Sequence, residues 1–266
     1  MDFYRRKLLE RSLFILLLIL GVVGIFTLQR SRLRPLQNQL ATAQYQHQSQ
    51  QEKLKLSLLQ NIPSFGFSNL VADWTYLGFI QYFGDTLARD AIGYELIPEY
   101  FRQTVHRDPR FADAMIALSS ANTLFAGEPQ KSVQYLDQSL QHITPTQTVF
   151  ANQLYFLWVY KGRDQFLFLG DAQGAIKSYT MAIDWAKLLG TERGLKTSKT
   201  LSASIKFLRK NPKSKVARIG AWSLVLSTSF DPRTQQRVIA EINALGGIVL
   251  QTPDGRLRVK VPDGVE

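Results

Sequence analysis

Residues 69–85, "NLVADWTYLGFIQYFGD", decide how this chain folds. The stretch is dense in aromatics and nearly long enough to cross a bilayer. Its polar residues argue against a span. Asn69, Asp73, Thr75, Gln81 and Asp85 are spread through it, and a mid-span Asp costs ~2.5–3.5 kcal/mol on insertion scales. An amphipathic helix fits better. Leu70, Trp74 and Leu77 recur at i, i+4 and i+7, with Val71, Gly78 and Tyr82 on the adjoining stripe.

The pattern returns downstream. "WTYLGFIQY" (74–82) and "WVYKGRDQF" (158–166) share W-x-Y-x-G-x-x-Q-aromatic, through Trp74/Trp158, Tyr76/Tyr160, Gly78/Gly162, Gln81/Gln165 and Tyr82/Phe166. The offset equals two units of about 42 residues, which predicts a helical repeat. Each unit then needs a second helix. The first has "YELIPEYFRQTVHRDP", with Ile97, Phe101 and a closing Pro109. The middle unit, 108–140, has Ser132 and Leu136 on its second helix, is closed by Pro145 and lacks a Trp. The third has "GDAQGAIKSYTMAIDWA", with Ala175, Tyr179 and Ala182. In this scheme the glycines let the partner helix approach, and Trp74 and Trp158 fill the space between stacked pairs. The small side chains of Ala175 and Ala182 admit close helix packing.

These residues resemble the tetratricopeptide (TPR) signature, W-x-x-L-G-x-x-Y on one helix and A-x-x-x-F on the next. Trp74, Leu77 and Gly78 match its Trp, Leu and Gly, while Gln81 occupies the Tyr slot with Tyr82 beside it. The third unit keeps Trp158 and Gly162 but has Lys161 at the Leu slot. The units, at roughly 36 to 43 residues, exceed the 34 of a TPR. The resemblance covers about residues 68–190. It implies a TPR-like solenoid of antiparallel helix pairs with Trp74, Leu77, Gly78, Phe101, Trp158, Gly162, Ala175, Tyr179 and Ala182 as packing positions, and it brings no catalytic residue. The phrases "FIQYFGD", "DPRF", "YKGRDQFLFLGD" and "NPKSKVA" also resemble membrane-anchored TPR-like proteins of oxygenic photosynthetic bacteria. That likeness implies a thylakoid or plasma-membrane location and a role in assembling a membrane complex.

Ahead of the repeats, residues 12–28, "SLFILLLILGVVGIFTL", carry no charge and lie between Arg11 and Arg30. Their length is at the short end of a spanning helix. The run exceeds the usual h-region of a signal peptide, and no small-x-small site follows directly. The expectation is an uncleaved single-pass anchor preceded by a basic tail, 1–11. Arg5, Arg6, Lys7 and Arg11 precede the run, against Arg30, Arg32 and Arg34 behind it. This barely separates the two orientations. A short basic tail favours the cytoplasmic side for the N-terminus, with the bulk of the chain lumenal or periplasmic. Residues 29–61 are glutamine-rich, with leucines at helical spacing and Pro35 near the start. They read as a polar helical stalk, with a short coiled coil as the alternative.

The chain is basic, with 32 Lys and Arg against 21 Asp and Glu for a net charge of +11. That balance favours anionic partners. Part of it is concentrated at 193–218, "RGLKTSKTLSASIKFLRKNPKSKVAR", which has no acid. Leu201, Ile205 and Leu208 give this segment an apolar helix face, and Pro212 ends it. Lys199, Lys206, Arg209, Lys210, Lys213 and Lys215 are the candidates for contact with an acidic protein or anionic lipid. The alternative is a solvated face. A nucleic-acid role is disfavoured, because Phe207 is the sole aromatic there.

A further helix pair is expected within 191–245. The second begins at Asp231-Pro232, an N-cap followed by Pro at N1, and ends near Gly246-Gly247. "IVLQTPDGRLRVKVP" then reads as a β-hairpin tail (246–266) turning at P-D-G, either a docking edge or a flap packed on its own domain.

Chemistry is not legible. The chain has no Cys, which removes disulfides and thiolate chemistry. Phosphate-loop, dinucleotide, Ser-hydrolase and zinc-protease motifs are absent, and His47, His106 and His142 are dispersed. No enzyme activity, metal or cofactor is expected. The sequence points to a mainly α, membrane-anchored scaffold that binds a protein partner in a concave repeat face. The alternative is a lipid- or envelope-binding protein acting through 193–218.

Overall fold

Helix-period apolar residues, punctuated by Gly, Pro and Asx caps, give a mainly helical chain with one two-stranded antiparallel sheet. The computed structural model describes residues 16, 18–25, 38–145, 154–228, 231–252, 255 and 257–265. By its internal contacts the chain divides into residues 1–45 and 46–266. In the first unit residues 18–25 are helical, and Leu18, Ile19, Leu20, Val22, Val23 and Ile25 are exposed. The rest of the expected span, apart from residue 16, lies outside the described residues, as do the basic tail and residues 29–37. Among the described residues no helix is long and apolar enough to cross a membrane.

Helix α1 (Asn38–Leu59) crosses from one unit into the other. The larger unit continues with α2 (Ser68–Gly84), α3 (Thr86–Ile92), α4 (Ile97–Arg107), α5 (Ala112–Ala121), α6 (Pro129–Leu140), α7 (Tyr155–Arg163) and α8 (Ala172–Leu189). Then follow α9 (Glu192–Lys210), α10 (Lys215–Thr228), α11 (Pro232–Ala244), β1 (Ile248–Gln251) and β2 (Leu257–Lys260). Helices α5 and α7 each run on into a π-helical turn, Asn122–Ala126 and Asp164–Phe168.

Asp85, Asp171, Thr191 and Asp231 cap the N-termini of α3, α8, α9 and α11 by accepting from a backbone N–H three residues on. Helix α2 packs on α4, α5 on α6, α7 on α8, α8 on α9 and α10 on α11. The short connections at 169–171 and 190–191 make α7, α8 and α9 antiparallel neighbours. The first hydrophobic core spans α1 to α8 around Phe101, Met115, Leu118, Leu136 and Tyr155. A second lies between α8 and α9 around Ala175, Ala182, Leu201 and Leu208. A third joins Phe168 to Ile219, Trp222, Val238 and Ile242.

At the ends of the chain one expectation changes, and of the two readings of the hairpin the packed flap is the one observed. The stalk does not stand free from residue 46 onward. Leu56 is 1% exposed, Ser49 is buried with its hydroxyl on Glu95, and the Tyr100 hydroxyl donates to Glu52 at 3.1 Å. Ser49, Glu52, Leu56 and Leu59 share one helix face, a seam the glutamines disguise in the sequence. The hairpin pairs Ile248 with Lys260 and Gln251 with Leu257. It lies against α10 and α11 through Val249, Val259 and Val261 rather than projecting as an edge.

Candidate functional site

Helices α4, α6 and α8 bury residues at the same spacing. Ile97, Phe101 and Thr104 on α4, Ser132, Leu136 and Ser139 on α6, and Ala175, Tyr179 and Ala182 on α8 are all buried at i, i+4 and i+7. The matched glycines face tyrosines of these helices. A Cβ on Gly78 would come 3.3 Å from the Tyr100 ring, and one on Gly162 would come 2.5 Å from the Tyr179 ring. Burial raises the Tyr179 hydroxyl to about 12, with the Arg163 cation opposing it. Trp158 is half-buried, edge-on to Trp185 at 5.9 Å and covered by the Lys161 ammonium.

Trp74 and Leu77 are not packing positions. Trp74 is 67% exposed, Leu77 54% and Leu70 64%. The face of α2 that turns inward is Ala72, Thr75 and Phe79, half a turn away. Phe79, Tyr76, Tyr82 and Phe83 form the aromatic contacts with Tyr100, Phe111 and Phe125 that fix this orientation. The outward stripe therefore holds Phe67, Leu70, Trp74 and Leu77, rimmed by Asn69, Asp73 and Gln81. The loop before it displays Phe65, 86% exposed at φ +48°, followed by Gly66 at φ +90°. Isolated exposed hydrophobics are ordinary, but a contiguous run of large ones marks an interaction surface.

Between α5 and α7 lies a closed polar node. Asp164, at the start of the second π-helical turn, is 0% exposed. It accepts from Arg163 at 2.7 and 2.9 Å, from Thr123 at 2.8 Å and from Ser119 at 3.2 Å. Burial pushes its carboxyl above the ordinary value, outweighing Arg163 and the two hydroxyls. Asn122 opens the first π-helical turn, one period earlier, and donates to Ser132 and the Glu128 carbonyl. The node ties α5 to α7 and is sealed from substrates.

Arginines from the following elements close the helix ends. Arg233 donates to the carbonyls of Asp90 and Ala91, Arg237 to those of Leu124 and Phe125, and Arg218 to those of Leu167 and Phe168. These carbonyls lie just ahead of Gly93, Gly127 and Gly170, each at positive φ. A helix C-terminus leaves unpaired carbonyls and partial negative charge, which a guanidinium fork satisfies on both counts. Burial lowers Arg237, against the pull of Glu241 and Asp231. A cleft of about 400 Å³ beside these contacts is lined by Tyr94, Pro98, Phe125, Lys131, Arg233 and Arg237. Both of its arginines already serve the helix ends.

The basic segment divides as its periodicity predicts. Gly194, Ser198, Leu201 and Leu208 are buried on α9. Lys199, Lys206, Arg209 and Lys210, with Lys213 and Lys215 beyond the helix end, are all exposed. None of the six makes an ion pair among the described residues. No family model, curated protein or solved structure matches this chain.

Sequence reasoning missed the buried Asp164 node, the arginine caps and the outward turn of α2. The caps had one legible signal, Arg233 and Arg237 at i, i+4 on an amphipathic helix, with the C-capping glycines far upstream.

Proposed function

We propose that the chain is a non-enzymatic, TPR-like scaffold, anchored in a membrane through residues 12–28, that holds a protein partner. Its role is the assembly or stability of a membrane complex, in line with the resemblance to anchored proteins of photosynthetic bacteria. The observation that carries this reading is the exposed face of α2, with Leu70, Trp74 and Leu77 outward on a helix whose opposite side is firmly packed. Their i, i+4, i+7 spacing matches the ridge that a partner helix takes up. Asp73, Asn69 and Gln81 along the margins favour a protein, which offers hydrogen-bond partners, over hydrocarbon. Helix pairs in a stack supply a rigid platform for such a face.

The test is in-membrane crosslinking followed by affinity purification, comparing the natural chain with a Leu70→Glu/Trp74→Glu variant. The expected result is one reproducible partner, lost from the variant while the helical content is retained. Identical recovery from both chains would remove α2 as the docking face, and recovery of no partner would count against a scaffold.

A further inference from the structure

The cationic helix is not used by the α2 face, and it carries an independent inference. From residue 193 to residue 230 there is no acidic side chain. The segment keeps its helical fold because its apolar residues point one way. Gly194, Ser198, Leu201 and Leu208 pack against α8, and the hydroxyls of Ser198, Ser202 and Ser204 are satisfied within α9 by carbonyls four residues back. The outward side is left to the cations. Lys199, Lys206 and Lys210 stand at i, i+7 and i+11, one straight row along the helix, and Lys213 is exposed in the turn beyond its end. Leu195 and Phe207, 49% and 42% exposed, lie within and beside this row.

We infer that this face of α9 docks on a bilayer surface rich in anionic phospholipid. Charge complementarity sets the class of partner. A row of unpaired ammonium groups repels itself in water, and a surface of phosphate headgroups relieves that repulsion along its whole length. The apolar residues select lipid among polyanions. Lysine stems lie along the interface with their ammonium groups on phosphates, while a leucine and a phenylalanine enter the headgroup boundary. Nucleic acid would call for stacked aromatics or a helix shaped for a groove, and Phe207 alone provides neither. The inference does not depend on what covers α2.

The absence of Cys makes a single reporter unambiguous. Ala203, exposed between Lys199 and Lys206, is changed to Cys in the full chain and labelled with an environment-sensitive fluorophore. The chain is reconstituted in phosphatidylcholine vesicles with and without about 30% phosphatidylglycerol. The expected result is a blue-shifted probe, shielded from aqueous quencher, only in the anionic vesicles. Raising NaCl to about 0.5 M should reverse it, since screening shortens the reach of exposed charges to roughly 4 Å. Lys199→Glu/Lys206→Glu/Lys210→Glu should abolish the shift, and the milder Lys→Gln triple should weaken the lipid dependence at least about tenfold. Circular dichroism checks that either variant keeps its helices. Equal probe exposure in both vesicle types would overturn the inference, as would a shift that survives charge reversal. A shift produced by RNA or polyglutamate but not by anionic vesicles would transfer the face to a different partner.

Discussion

Asp164 shows how one residue can join stretches of chain distant in sequence. Its carboxylate collects Arg163 from its own helix and Ser119 and Thr123 from the preceding unit. Burial penalises the charged form of this carboxyl, so its proton affinity is higher in the folded chain than in the unfolded one. The linkage then has a fixed sign. The folded state binds more protons between 3.8, the ordinary carboxylate value, and the raised value of Asp164, so this site's contribution to stability falls as pH rises through that window. Asp164→Asn should flatten that part of the stability–pH curve and fold normally, since Asn122 occupies the equivalent place one period earlier. Asp164→Ala should cost about 1–3 kcal/mol by stranding Ser119 and Thr123. Chemical denaturation across pH measures both. A natural chain and Asn variant with parallel curves would rule out the node as a titrating site. The sequence offered no sign of it, because Arg163-Asp164 reads as an ordinary surface pair until α5 is laid over it.

At the scale of helices, period and phase were not equally legible. Helix α2 carries large apolar side chains on both sides: Leu70, Trp74 and Leu77 satisfy a helical stripe, and so do Ala72, Thr75 and Phe79. Such a helix marks no inner face by itself. The choice was made by the partner helix, whose Tyr100 ring lies over Gly78 and against Phe79 and Tyr82. On α9 the phase was legible, because its lysines could not point inward. The two matched glycines are not equivalent. Gly162→Ala places a methyl 2.5–2.6 Å from Tyr179 ring atoms and should cost about 1–3 kcal/mol by overpacking. Gly78→Ala meets Tyr100 at 3.3 Å, and the gain in helix propensity of roughly 0.5–1 kcal/mol should nearly offset it. Thermal unfolding of the two variants decides this, and equal losses would show that the closer approach at Gly162 is relieved by ring movement.

The larger unit is closed by long-range arginine contacts. Arg233 and Arg237 reach carbonyls more than a hundred positions away, and Arg218 reaches the end of the second π-helical turn. They bind α10 and α11 to the end of α3 and to the two π-helical turns, alongside the third core. Arg218→Ala with Arg237→Ala should therefore loosen α10, α11 and the hairpin as a group. Hydrogen exchange should rise across 215–260 while α5 to α8 keep their protection. A uniform rise throughout would mean that the arginines support the whole unit rather than the docking of one part.

The sequence by itself determined the mainly helical content, the buried side of α9 and the position of the hairpin. These follow from local spacing and turn chemistry, which act within a few residues. The outward face of α2, the packed end of the expected stalk, the Asp164 node and the arginine caps were decided only by tertiary structure. Each depends on a partner group distant in sequence. Burial, polar satisfaction and helix phase are settled between elements, where no local pattern reaches.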